Sequence, residues 1–248
     1  MAETTRIPYL DEMLGALAQP GCAFCRLLDE TADRLVDAIL FESVNDVGVR
    51  EELNAARGFC RRHAALLVRT GGALGTATMM QGVIKVLLRA LDDSGIEAES
   101  PSRLRALLRA GGVGGPHPAA TRLADALAPD APCPICVHEA TFAAHYIDTL
   151  LQQATPGSPL AGAYAASDGL CLPHFRAVVA RGLPGPALTT LVAAQRVHWQ
   201  RLNGELEEFL RKSDYRFQHE KFGAERDAWQ RALSAVSGQL PGHLTEGA

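Results

Sequence analysis

The sequence predicts an all-α protein made of two helical units from an internal duplication, pseudo-twofold related, each with one Cys3His metal site. Three observations predict it. Apolar residues recur at helical spacing through the long segments, and no stretch alternates convincingly with the period of two that a strand needs. Two Cys-x-x-Cys pairs and two Cys-x-x-His pairs use all six cysteines. Cys133, Cys136, Cys171 and His174 follow Cys22, Cys25, Cys60 and His63 by 111 positions each, and Gly58/Gly169 and Gly71/Gly182 keep the same offset.

The elements follow in order. Residues 8–18 are a short amphipathic segment with Pro8 allowed in its first turn, and Pro20-Gly21 ends it just before Cys22. From Cys25 to about Ser43, Leu28, Ala32, Leu35, Val36 and Ile39 form one apolar face, which predicts a long helix. Asn45-Asp46 is a break with an N-cap, opening a shorter helix to about Arg57. Gly58 turns the chain into Cys60, and a short helix follows His63 until Gly71-Gly72 stops it. Residues 74–92 form a more apolar helix, with Met79 and Met80 as core filler.

Residues 94–118 are the junction. Ser100-Pro101 opens a short helix with Arg103, Arg105 and Arg109 on a solvated face, and Gly111–Pro118 reads as a flexible linker. The unit then repeats: a short helix near 119–128, Cys133, a long helix through Leu151, a turn at 155–159, Gly169, Cys171 and a helix to Ala180. A last long helix runs from Pro184 to Lys212. The expected domains are therefore 1–93, a linker at 94–118, 119–212, and a C-terminal segment at 213–248. That segment places Tyr215, Phe217, Phe222 and Trp229 among charges, with Glu225 and Asp227 suited to a helix first turn, and is expected to staple the two units together.

The metal chemistry follows from the spacing. A Cys-x-x-Cys turn puts two sulfurs within reach of one ion, and Cys-x-x-His on a first helical turn does the same with sulfur and nitrogen. Each pair stands at the start of a helical segment, where the positive dipole end favours thiolate over thiol. The expected ligands are Cys22, Cys25, Cys60 and His63 for one site and Cys133, Cys136, Cys171 and His174 for the other. The leading cofactor is Zn2+, two per chain, in closed sites; the alternative is an iron–sulfur cluster with one histidine ligand. Disulfides explain less, since they would not need a histidine at the same place in both copies. Neither Cys-x-x-Cys is followed by His, as haem attachment requires, and no βαβ pattern supports a thioredoxin-like motif. Asp37 and Asp148 recur at the same offset and could accept from a site histidine or stand at the surface. His138, Phe142 and His145 share one helical face with no further ligand in view.

Composition bounds the rest. The 248 residues carry a formal charge of −4, and two filled sites make that balance slightly more negative, so bulk charge does not support nucleic-acid binding. Lysine occurs only at Lys85, Lys212 and Lys221. The N-terminal stretch has neither a basic nor an apolar signal region, and no apolar run spans a membrane, so a cytoplasmic protein with reduced thiols is expected. No catalytic residue is identified. A protein partner is the candidate for function, with a thiol-based redox or metal sensor and a cluster enzyme as rivals.

The paired Cys-Pro-x-Cys and Gly-apolar-Cys-x-x-His elements, together with Asp214-Tyr-Arg-Phe217 and the Gly223…Trp229…Arg231-Ala232 ending, resemble an uncharacterised bacterial family of unknown function. The resemblance runs from Cys22 to about Ser237, with Ala23 in the first pair where the second has Pro134. It implies metal binding and supplies no activity, substrate or catalytic residue.

Overall fold

The computed structural model describes residues 7–94, 96, 118–217 and 219–239. Among these there are eleven α-helices and no strand. They are α1 (Leu10–Leu17), α2 (Ala23–Phe41), α3 (Val47–Ala55), α4 (Arg61–Leu66), α5 (Ala73–Asp92), α6 (Pro118–Leu127), α7 (Pro134–Gln153), α8 (Pro159–Ala166), α9 (Leu172–Arg181), α10 (Pro186–Ser213) and α11 (Ala228–Ser237). Single 3-10 turns at Tyr215–Phe217 and Ala224–Asp227 join the last two. Arg103, Arg105, Arg109, His117 and the Gly-rich run lie outside the described residues.

Local chemistry accounts for several starts. The Asp46 carboxylate accepts the Val49 N–H at 2.9 Å, capping α3 as its position suggested. Ser158 caps α8 in the same way, accepting from Ala161 N–H at 3.1 Å, with Pro159 preset for the first turn.

The chain forms two compact units, and the division falls inside two helices rather than at the linker. One unit takes the chain up to Thr31 and again from Glu139; the other is Ala32–His138. In the first, Met13, Phe24, Tyr146, Leu150, Tyr164 and Leu191 are buried together. Burial of each such side chain is worth about 1.5–3 kcal/mol. In the second, Ala32, Val36, Leu53, Met79, Val83 and Ile135 form the core, with Met80 packed beside them, so the methionine pair is core filler as expected. The first turn of α2 thus belongs to one core while Ala32, Val36 and Leu40, further along the same helix, belong to the other. The opposite holds for α7, which places Ile135 in the second core and Tyr146, Ile147 and Leu150 in the first.

The C-terminal segment docks within its own unit, on α9 and α10. Phe222 meets Phe209 of α10 with ring centroids 5.3 Å apart. Arg211 pairs with Glu208 and Glu220, and Lys212 reaches Glu225 at 2.7 Å. Glu225 therefore serves a salt bridge rather than the dipole of α11. The aromatic at 215 does not dock: Tyr215 is 78% exposed.

Candidate metal centres

All four ligand pairs are built alike. Cys60 and Cys171 are the N-cap residues of α4 and α9, in extended backbone conformation, and His63 and His174 follow in the first turn. Cys22 and Cys133 immediately precede α2 and α7, and Cys25 and Cys136 follow three residues on. In each pair the carbonyl of the leading cysteine accepts a backbone N–H four residues later, from Arg26, Ala64, Val137 and Phe175. Four helix N-termini thus present their ligands on a first turn, with the dipole favouring thiolate.

The pairs assemble in crossed partnership. Cys22 and Cys25 meet Cys171 and His174, while Cys60 and His63 meet Cys133 and Cys136. All eight expected ligands are brought into clusters, but neither Cys-x-x-Cys meets the Cys-x-x-His that follows it next in the chain, which corrects the expected pairing. The physical reason is the length of α2. Its 19 residues carry the chain about 28 Å from its first turn before α3 begins.

Within each cluster the four donor atoms lie within 4.8 Å of one another. In the first, His174 Nδ1 is 3.5 Å from Cys22 Sγ, 3.5 Å from Cys25 Sγ and 3.2 Å from Cys171 Sγ. Cys25 Sγ and Cys171 Sγ are 3.7 Å apart. In the second, His63 Nδ1 is 3.4 Å from Cys60 Sγ, 3.5 Å from Cys133 Sγ and 3.4 Å from Cys136 Sγ, with Cys60 and Cys136 sulfurs 3.7 Å apart. A tetrahedral ion with metal–sulfur bonds of about 2.3 Å and metal–nitrogen bonds of about 2.05 Å has edges of about 3.8 Å and about 3.5 Å. Both clusters match those edges, so the donor sets fit one four-coordinate ion each.

The protonation energetics point the same way. Burial works against a charged His174, yet the sulfurs of Cys171, Cys22 and Cys25 around its ring push it up to about 12. Burial and the neighbouring Cys60 and Cys133 sulfurs push Cys136 up to about 12. Cys60 goes the other way: burial raises it, but contacts from His63, Cys136, Cys133 and Arg62 hold it below an ordinary thiol. A central dication would satisfy the four close donors of each cluster at once.

The loops behind the knuckles are pinned differently. In the first centre, Gln195 of α10 accepts the Leu170 N–H at 3.0 Å and donates to the Leu170 carbonyl at 3.1 Å. Tyr164 donates its hydroxyl to the same Gln195 oxygen, and His198 Nε2 lies 3.0 Å from the Tyr164 carbonyl. Burial raises the Tyr164 phenol far above its ordinary value, so it stays a donor. Gly169 has φ +77°, and a Cβ there would sit 2.7 Å from His198 Cδ2. Asp168 accepts the Gly21 N–H at 2.9 Å and pairs with Arg201 at 2.8 Å, tying the turn before Cys22 to the loop before Cys171. Gln239 donates its backbone N–H to Cys25 Sγ at 3.3 Å.

In the second centre the tie runs through Arg57, which pairs with Asp130 at 3.0 Å and donates to the Ala126 carbonyl at 3.0 Å. Asp130 in turn donates its N–H to the Ala55 carbonyl at 2.8 Å. Gly58, at φ +103°, has nothing near its Cβ position.

The remaining candidates settle elsewhere. Asp37 and Asp148 accept from Arg69 at 2.8 Å and Arg181 at 2.5 Å, not from the site histidines. His145 stacks against Tyr9 with centroids 5.7 Å apart. The residues the sequence reading missed are Tyr164, Gln195 and His198. A signal existed: Gln195 and His198 continue the buried stripe of Ala187 and Leu191 on α10, where two polar side chains need a polar task.

The fold and the two donor sets define an all-helical protein with a pair of Cys3His centres able to hold metal ions. Residues 1–243 match the family described as Family of unknown function (DUF6062), and the chain belongs to it. No curated protein and no solved structure matches the chain.

Proposed function

We propose that this chain is a zinc protein, holding two ions in closed structural sites that stabilise a helical scaffold for binding a protein partner. The observation that carries the zinc reading is the agreement of both donor clusters with the edges of a single tetrahedral ion. An iron–sulfur cluster distributes its ligands over two or more irons and sets them further apart than one coordination edge. Six reduced thiols suit a cytoplasmic setting, and no helix of the described residues is long and apolar enough to cross a membrane. The partner-binding role is supported by apolar side chains left at the surface of α9 and α10, with Leu172 36%, Val179 42% and Trp199 38% exposed.

Elemental analysis with a visible spectrum on anaerobically purified protein tests the reading. Two zinc ions per chain and no visible chromophore are expected; a brown protein absorbing near about 400 nm would overturn it.

A thiol-based sensor is the second reading, and one observation favours it. Cys60 and Cys136 are only half-buried, beside exposed Arg61, whereas the three cysteines of the other centre are buried.

A further inference from the structure

We infer that the two metal centres are energetically coupled, so that the protein fills and empties them as a pair. The inference rests on reading both clusters as metal sites and goes beyond it.

The exchange of ligand pairs is the starting point. The span closed by the second centre, Cys60 to Cys136, lies wholly inside the span closed by the first, Cys22 to His174. Each long helix then serves both ions. The first turn of α2 supplies Cys22 and Cys25 to the first centre, while its Ala32, Val36 and Leu40 are buried in the core that also holds Cys133. The first turn of α7 supplies Cys133 and Cys136 to the second centre, and its Tyr146, Ile147 and Leu150 are buried with Cys22, Cys25 and Cys171. Each core therefore depends on a helix whose N-terminus is clamped by the other core's ion.

Loss of one ion leaves three sulfurs in mutual repulsion at that helix start. Helix formation is cooperative, with each turn templating the next, so an unclamped first turn frays toward the residues the other core requires. The nesting of the spans adds a smaller effect. Cys25 and Cys171 are 146 residues apart and Cys60 and Cys136 are 76 apart, so closing the inner span about halves the loop left to the outer one. Halving a loop favours closure only about threefold. Coupling well above that factor has to travel through α2 and α7.

The test uses the full chain. Cys136→Ser disables the second centre and Cys171→Ser the first, and zinc affinity at the intact centre is measured against a chromophoric chelator. Each variant is expected to weaken the intact centre tenfold or more, within the range typical of coupled sites, and by the same factor in both directions because coupling is reciprocal. Amide exchange should accelerate in α10 for Cys136→Ser and in α5 for Cys171→Ser. Wild-type affinity and wild-type protection at the intact centre would overturn the inference. Should either variant fail to fold, native mass spectrometry of wild-type apoprotein given one equivalent of zinc decides. Apo and two-zinc species with little one-zinc species support coupling, and a dominant one-zinc species refutes it. A protein that takes up no zinc at all refutes the metal assignment instead.

Discussion

Gly169 and Gly58 occupy the same place before a Cys-x-x-His knuckle, yet they face different constraints. Both have positive φ, so an L side chain is strained at either. Only at Gly169 would the new Cβ also meet His198 Cδ2 at 2.7 Å and Gln195 Oε1 at 2.9 Å. Gly169→Ala should therefore lower the melting temperature clearly more than Gly58→Ala, with the difference read by paired thermal scans of zinc-loaded protein. Gln195 carries a second prediction. Its amide satisfies both backbone groups of buried Leu170 and receives the Tyr164 hydroxyl. Gln195→Leu keeps the volume but strands those groups, at a cost on the order of 2–4 kcal/mol. Denaturant melts at fixed zinc measure it. A loss below about 0.5 kcal/mol would mean that water replaces the amide, leaving the loop without need of it.

At the scale of elements, the docking of the C-terminal segment depends on charge. The Lys212 ammonium, 2.7 Å away, and the Gly223 N–H hold the Glu225 carboxyl at about 2, well below its ordinary value. A group depressed in the folded state stabilises above its ordinary range and loses that contribution as pH falls through the folded value. The segment should thus undock between about pH 4.5 and pH 2, followed by Trp229 fluorescence. Glu225→Gln removes that dependence, so the difference between variant and wild type isolates it from acid loss of metal. A variant that undocks over the same pH range would exclude Glu225 as its cause. The extents of these elements were legible because their causes are local: Asp46 caps α3, Pro159 opens α8, and each ligand pair spans one first turn. The pairing of the ligands was not. Because the two sets of ligand pairs have the same spacing, either pairing yields Cys3His, and the choice depends on how far α2 and α7 carry the chain. The C-terminal segment was expected to staple the two units; it packs on α9 and α10 of its own unit, with Lys212 reaching Glu225 and Phe209 meeting Phe222.

At the scale of the whole molecule, the question is how much of the fold two bound ions would carry. Structural zinc contributes on the order of 10–16 kcal/mol of apparent folding free energy, comparable to or above the net stability of a whole domain. Stripping both ions with a chelator should therefore collapse the helical signal of the folded chain, and zinc should restore it. Oxidants reach the same endpoint from one side first. Cys60 and Cys136 are half-buried, and Arg61 beside them is exposed. At the other centre, Cys171 is 2% exposed, Gln239 covers Cys25, and Gln195 pins the loop. Accessible thiolates near cations react faster than shielded ones. At low conversion by peroxide, mass spectrometry of trapped cysteines should find Cys60, half-buried and held below an ordinary thiol, modified before Cys22, Cys25 and Cys171. Low conversion matters, because an emptied second centre loosens the first and spreads the damage to all six thiols. Equal modification of the two sets from the earliest time points would remove the sensor reading and leave two purely structural ions.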